Sequence, residues 1–176
     1  MEGALLARFL TSLPACAAQP LKPKNFNSMK ISIGSDHGGV DLKDAVAQGL
    51  RVAGHDVLDR GTHSHDSVDY PDFAIAVSKD VVSGTVERGV VICTTGIGVS
   101  IAANKVHGIR AAVCHNEDAA EFCRRHNNAN VICFGQKYDT PYMALKMAGI
   151  FLATAFEGGR HERRVDKIAA EEKTGT

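Results

Sequence analysis

From Met29 onward the chain alternates short apolar runs with stretches in which apolar side chains recur every three or four residues. The runs are KISIGS (30–35), HDVLD (55–59), RGVVICT (88–94), RAAVCH (110–115) and NVICFG (130–135). Short and rich in β-branched residues, they read as strands buried on both faces. Between them, Leu42, Val46, Gly49 and Leu50, and then Phe73, Val77 and Val81, fall on one side of a helix. Pro71 suits the first turn of the second helix. A last helix is expected from Arg160 to Glu172. Five strand–helix units result, without an internal repeat.

Such alternation predicts an α/β fold: a three-layer sandwich with a five-stranded parallel sheet, helices on both faces, right-handed crossovers and an added C-terminal helix. For five strands the natural arrangement is the flavodoxin-like order 2-1-3-4-5. Ligands in open sheets of this kind bind beyond the strand C-termini where the winding reverses, here between the first and third strands. The loops that follow those two strands are the most unusual in the chain: GSDHGG (34–39) and CTTGIGVS (93–100).

Composition narrows the class of partner. A chain of 176 residues suits one domain. Lys plus Arg and Asp plus Glu are 20 each, for a formal net charge of zero, so no broad cationic field invites nucleic acid or an anionic membrane. No apolar run approaches the roughly 20 residues of a membrane helix. The sequence is that of a soluble globular protein. Its five cysteines (Cys16, Cys93, Cys114, Cys123, Cys133) are odd in number and lack C-x-x-C spacing, which argues against a disulfide framework and a zinc knuckle and fits a reducing compartment such as the cytoplasm. Residues 1–28 read as a leader outside the domain at 29–176. Arg8, Lys22 and Lys24 against a lone Glu2 suggest organellar targeting, beside the alternative of an untargeted leader.

The stretch VVICTTGIGVSIAANK (90–105) runs from strand through a Gly-rich turn into a helix, a geometry whose successive N–H groups form an anion or oxyanion cradle. It matches neither G-x-G-x-x-G nor a Walker loop. Gly96 and Gly98 alone would be explained as turn residues; Cys93 beside them changes the reading. A thiol just before a helix N-terminus is readily deprotonated, and as a base it would have the amides of Thr94, Thr95, Gly96, Ile97 and Gly98 at hand to hold an oxyanion. His126 and Asn127 end a helix before the fifth strand, where a dipole-satisfying cap is the bland alternative. Arg160 and Arg164, four apart, would share a helical face and could grip a phosphate, or simply be solvated. The other histidines (His55, His63, His65, His107, His115, His161) show no pairing with metal-ligand spacing, and Asp36 and His37, adjacent on an extended segment, point apart. No metal site is read.

Taken together, GSDHGG, DYPDFA, CTTGIGVSIAANK, GIRAAVCH, RHNNANV and FEGGRHERRV, in this order from Met29 to about Glu172, resemble the type B ribose-5-phosphate isomerases, the family that includes galactose-6-phosphate and allose-6-phosphate isomerases. The resemblance implies a Rossmann-like sandwich and a homodimer, or a homotetramer built from it, with active sites completed across the subunit interface. It also implies interconversion of ribose 5-phosphate and ribulose 5-phosphate, a pentose phosphate pathway step, without metal or cofactor. Carried over, Cys93 is the base that moves a proton between C2 and C1 through an enediolate, over the Thr94–Gly98 anion hole. His126 is the ring-opening acid. Asp36 and Tyr70 meet ring hydroxyls, His37, Arg160 and Arg164 bind phosphate, and Asn127 lies beside the enediolate. Two positions depart from the common pattern. Lys137 stands where an arginine usually binds phosphate, keeping the charge without the planar fork. Thr94 stands where glycine is frequent and would disturb the hole if positive φ were required there, which is not expected. A hexose phosphate such as allose or galactose 6-phosphate and a non-catalytic sugar-phosphate-binding subunit are the alternatives; retention of both Cys93 and His126 argues against the second. An FMN-binding or signalling domain is more remote.

Overall fold

The computed structural model describes residues 28–174. The leader, its targeting and Cys16 thus lie outside the described residues, Ser28 excepted. The strands are β1 (Lys30–Ser35), β2 (Asp56–Asp59), β3 (Arg88–Cys93), β4 (Ala111–Val113) and β5 (Val131–Gly135). The helices are α1 (Val40–Val52), α2 (Tyr70–Val82), α3 (Ile97–Ala103), α4 (Glu117–Arg125), α5 (Pro141–Ala153) and α6 (Glu162–Thr174). Local chemistry marks the starts: Asn116 accepts from Ala119 N–H at 2.8 Å before α4, Thr140 caps α5 ahead of Pro141, and Pro71 occupies the first turn of α2.

All four strand pairings are parallel, and two cores divide along the pleat. Ile31, Ile33, Val90, Ile92, Ile132 and Phe134 pack with Leu42 and Val46 of α1, Ala120 of α4 and Met147 and Phe151 of α5. The alternate residues Val91, Cys93, Val131 and Cys133 pack with Ala74 and Val77 of α2 and Val99 and Ala103 of α3. This is the expected three-layer sandwich, with Cys93 on its α2/α3 side.

The strand order is 2-1-3-5-4, not 2-1-3-4-5. Burial explains the exchange. Every residue of β5 is buried, whereas β4 has three residues, all partly exposed; the fully apolar strand takes the interior place beside β3 and the short one the edge. The Asn104 side chain closes that edge, accepting from Ala111 N–H at 2.8 Å and donating to its carbonyl at 2.9 Å. The reversal of winding between β1 and β3 is unaffected, so both Gly-rich loops still open at the same crevice.

The segment after β2 is pinned down beside that crevice. Arg60 and Thr62 N–H groups donate to the Ile33 and Ser35 carbonyls of β1 at 2.7 and 3.0 Å. Lys43 of α1 is fully buried, with Nζ 2.8 Å from Asp59 Oδ2, 2.9 Å from Asp44 Oδ1 and 3.4 Å from His63 Nδ1. No helix among the described residues is long and apolar enough to cross a membrane.

Candidate active site

The loop after β1 turns at once into a single 3-10 turn, His37–Gly39, capped by Asp36, whose Oδ1 accepts from Gly38 N–H at 3.1 Å. Its glycines permit close approach: a Cβ on Gly39 would lie 3.0 Å from the Ile92 backbone, and one on Gly38 would overlap Thr94 Oγ1. Asp36 is buried. Burial pushes its carboxyl above the usual carboxylate value, against the lowering pull of His37 and of the Gly38 N–H. His37 accepts from Val68 N–H through Nδ1 at 3.2 Å, which leaves Nε2 as the donor edge of a neutral ring.

The loop after β3 is fastened to the end of β5. Gln136 and Lys137 N–H groups donate to the carbonyls of Cys93 and Thr94 at 2.9 and 3.0 Å. In a trans peptide C=O and N–H point in opposite directions, so these bonds turn the N–H groups of Thr94 and Thr95 away from β5. Gly96 N–H donates to Cys93 Sγ at 3.1 Å. Gly96 has φ +79°, and a Cβ there would sit 3.0 Å from the Phe134 backbone, so only glycine fits. The left-handed region is not required at Thr94, since Asn128 alone among the described non-glycine residues has positive φ. α3 has only seven residues, so any affinity of this turn for an anion would come from its oriented loop amides rather than from a long helix dipole. Tyr70 closes the wall against Gly98, where a Cβ would come within 2.8 Å of the ring. Asp36, Tyr70, Cys93, Thr94, Thr95, Ile97 and Gly98 together line a cavity of about 380 Å³.

The remaining expected residues do not line that cavity. His126 caps the end of α4, its ring sandwiched between Phe122 (centroids 4.9 Å apart) and His161 (4.2 Å, rings within 3° of parallel). Glu157 approaches both histidines, at 3.8 Å from His126 Nε2 and 3.9 Å from His161 Nε2, and is itself held by Arg125 at 3.1 Å. That arginine pulls the Glu157 carboxyl below the usual range. Asn127 follows, its carbonyl accepting from Arg110 Nε at 3.1 Å; Asn128, at φ 47°, then takes the left-handed turn that ends the helix. Arg160 lies in the turn before α6 and Arg164 in its first turn, so the expected sharing of one helical face does not hold. In that turn Arg164 N–H donates to the His161 carbonyl at 3.0 Å. Lys137 Nζ sits 5.9 Å from the centre of the Tyr138 ring.

A family model described as Ribose/Galactose Isomerase matches residues 31–168. The chain belongs to the ribose/galactose isomerase family. It is 42% identical to ribose-5-phosphate isomerase B of Escherichia coli (strain K12), over 82% of this chain and 97% of that protein. The solved structure of ribose-5-phosphate isomerase B from Clostridium thermocellum superposes with a TM-score of 0.83 at 51% identity, covering 84% of this chain and 100% of that one. Ribose-5-phosphate isomerase B from Mycoplasma genitalium, solved with bound ribulose-5-phosphate, gives a TM-score of 0.79 at 42% identity, covering 82% and 96%.

Several contacts around these residues escape a reading of the sequence. Glu157 and His161 are four apart, a spacing that could have signalled them, but their meeting with His126 crosses more than 30 residues of chain. The Val68 N–H that orients His37 carries no side-chain signature. Among the described residues two groups of potential metal ligands come together, His126/Glu157/His161 and Asp44/Asp59/His63. In the first, parallel rings aim their in-plane lone pairs side by side rather than at a shared point, and Arg160 Nε donates to His161 Nε2 at 3.2 Å. In the second, the Lys43 ammonium already occupies the approach.

Proposed function

We propose that this chain is a ribose-5-phosphate isomerase, interconverting ribose 5-phosphate and ribulose 5-phosphate by proton transfer through an enediolate. The observation that carries the reading is the pairing, in one cavity, of the Cys93 thiol with the Thr94 and Thr95 N–H groups turned away from β5. In the aldose direction, the Cys93 thiolate removes the C2 proton while the C1 carbonyl oxygen gains charge. The loop amides stabilise that oxyanion, the step at which oriented donors matter most. Transfer of the O2 hydroxyl proton to O1 and return of the abstracted proton to C1 leave the carbonyl at C2, and the thiolate is regenerated. Asp36 and Tyr70 position hydroxyls, and the Nε2–H of His37 is available to a phosphate oxygen. Before isomerisation the sugar ring must open, and His126 supplies the proton to the ring oxygen, with Asn127 beside the reacting carbons.

A phosphate dianion calls for cations, and the cavity lining contains none. Arg160, Arg164, Lys137 and His126 would be delivered by a second copy of the chain, in a homodimer with shared sites. The exposed residues Ile97 and Ile101, one turn apart on α3 with Ile97 at the cavity wall, offer an apolar contact for it.

The test is a side-by-side isomerase assay on ribose 5-phosphate and allose 6-phosphate, with and without EDTA, on the wild type and Cys93→Ala. The wild type should turn over the pentose phosphate in EDTA, and the variant should lose about 10³-fold or more in kcat while still binding sugar phosphate. Full turnover by Cys93→Ala would remove the base assignment, preference for the hexose phosphate would redirect the substrate, and loss in EDTA would contradict the metal-free route.

A further inference from the structure

The ring stack at the end of α4 contains a histidine that the reaction above does not use. His161 is only 4% exposed. One face covers His126, with centroids 4.2 Å apart and planes 3° from parallel. Its edge is engaged separately: Nε2 accepts from Arg160 Nε at 3.2 Å. That bond requires a lone pair on Nε2, which places the proton of the neutral ring on Nδ1. It also consumes the inner N–H of the guanidinium, leaving the two terminal nitrogens of Arg160 for a forked contact with an anion.

We propose that His161 is a positioning residue that serves both ends of the substrate, its ring face fixing the plane of His126 and its Nε2 aiming the Arg160 guanidinium. The proposal rests on the reading of His126 as the ring-opening acid and Arg160 as a phosphate ligand. The surrounding charges fit the assignment. Burial foremost, and then His126, Arg160 and Arg164, disfavour a proton on His161 while Glu157 favours one, so the His161 ring is held below the ordinary histidine value. Two stacked imidazolium rings would repel, and the edge of His126 faces Glu157, itself paired with Arg125.

Two substitutions separate the functions. His161→Phe keeps a stacking ring and removes the acceptor; His161→Gln keeps an acceptor near the Nε2 position and removes the ring. His161→Phe should raise KM for ribose 5-phosphate about tenfold or more with kcat changed less than about threefold. His161→Gln should keep KM and lower kcat about tenfold, with its acid-side pH profile shifted. That second defect should vanish on a four-carbon aldose 4-phosphate, whose C4 oxygen is esterified so that no furanose ring needs opening. Equal losses in both variants on both substrates, or no change in either, would overturn the proposal. So would ¹⁵N shifts of the wild-type imidazoles placing the His161 proton on Nε2, a readout that stands even if a variant does not fold. Failure of the underlying reading looks different: a wild type without turnover, or His126→Ala and Arg160→Ala variants with wild-type kinetics.

Discussion

Gly135→Ala is a substitution outside the cavity lining that should nonetheless disable the chemistry. A Cβ at this last residue of β5 would lie 2.6 Å from the Thr95 carbonyl carbon and 2.7 Å from its oxygen. Both are backbone atoms, so no side chain can swing aside. Restoring ordinary carbon–carbon contact moves the Thr95 peptide by about 1 Å. That peptide belongs to the turn whose amides form the cradle and whose Gly96 N–H meets Cys93 Sγ at 3.1 Å. Overpacking of this kind costs about 1–3 kcal/mol of stability, which for a domain of this size lowers Tm by about 2–4 °C per kcal/mol. The catalytic effect should be larger, since misplacing an oxyanion donor by about 1 Å costs about 10²-fold in rate. Steady-state assays with ribose 5-phosphate, paired with thermal melts, would measure both. A kcat within twofold of wild type (about 0.4 kcal/mol of barrier) alongside a lowered Tm would refute the argument that β5 aims the cradle.

Three further outcomes follow from the same geometry. Mixing Cys93→Ala and His126→Ala subunits, each inactive alone, should restore about a quarter of wild-type activity, because half of the random dimers regain one intact site of two; no recovery after confirmed subunit exchange would count against shared sites. Lys43→Met should lower unfolding free energy by about 3–5 kcal/mol in urea titrations, since it strands the mostly buried Asp59 carboxylate; a loss under 1 kcal/mol would contradict the buried pair. Asp36→Asn should raise Tm at pH 7 while reducing turnover. Because the folded-state pKa is raised, the ionised carboxylate is disfavoured on folding at pH values above both pKa values, and that penalty fades as pH falls through the folded pKa to below the ordinary 3.8. The gain in Tm should therefore shrink in acid, and an equal gain at pH 3 and pH 7 would show another cause.

Much of this was legible along the chain because it is encoded locally. Val90 and Ile92 against Val91 and Cys93 divide between the two faces of the sheet as alternation requires, and the two Gly-rich loops meet because the winding reverses between β1 and β3. The exchange of β4 and β5 was not legible, because lateral order depends on how completely each strand is covered by helices that lie elsewhere in sequence. Lys43 reads as a solvated helix position, one residue past Leu42, until Asp59 and His63 are brought over it. His161 looks like an idle histidine between arginines because a ring stack is a contact of faces and leaves no spacing signature. Arg160 and Arg164 were expected on one helical face, but the helix begins between them.

The placement of β5 between β3 and β4 also bears on how the protein comes into being. Until the chain has emerged past residue 135, β3 presents an open, apolar edge, and Gln136 and Lys137 are not yet present to bind the carbonyls that orient Thr94 and Thr95. A nascent chain holding Cys93 and its whole loop is therefore without a cradle, and its naked strand edge is the surface most exposed to wrong pairing. The loop after β3 is completed by a strand made some 40 residues later, so its amides cannot be aimed before that strand joins the sheet.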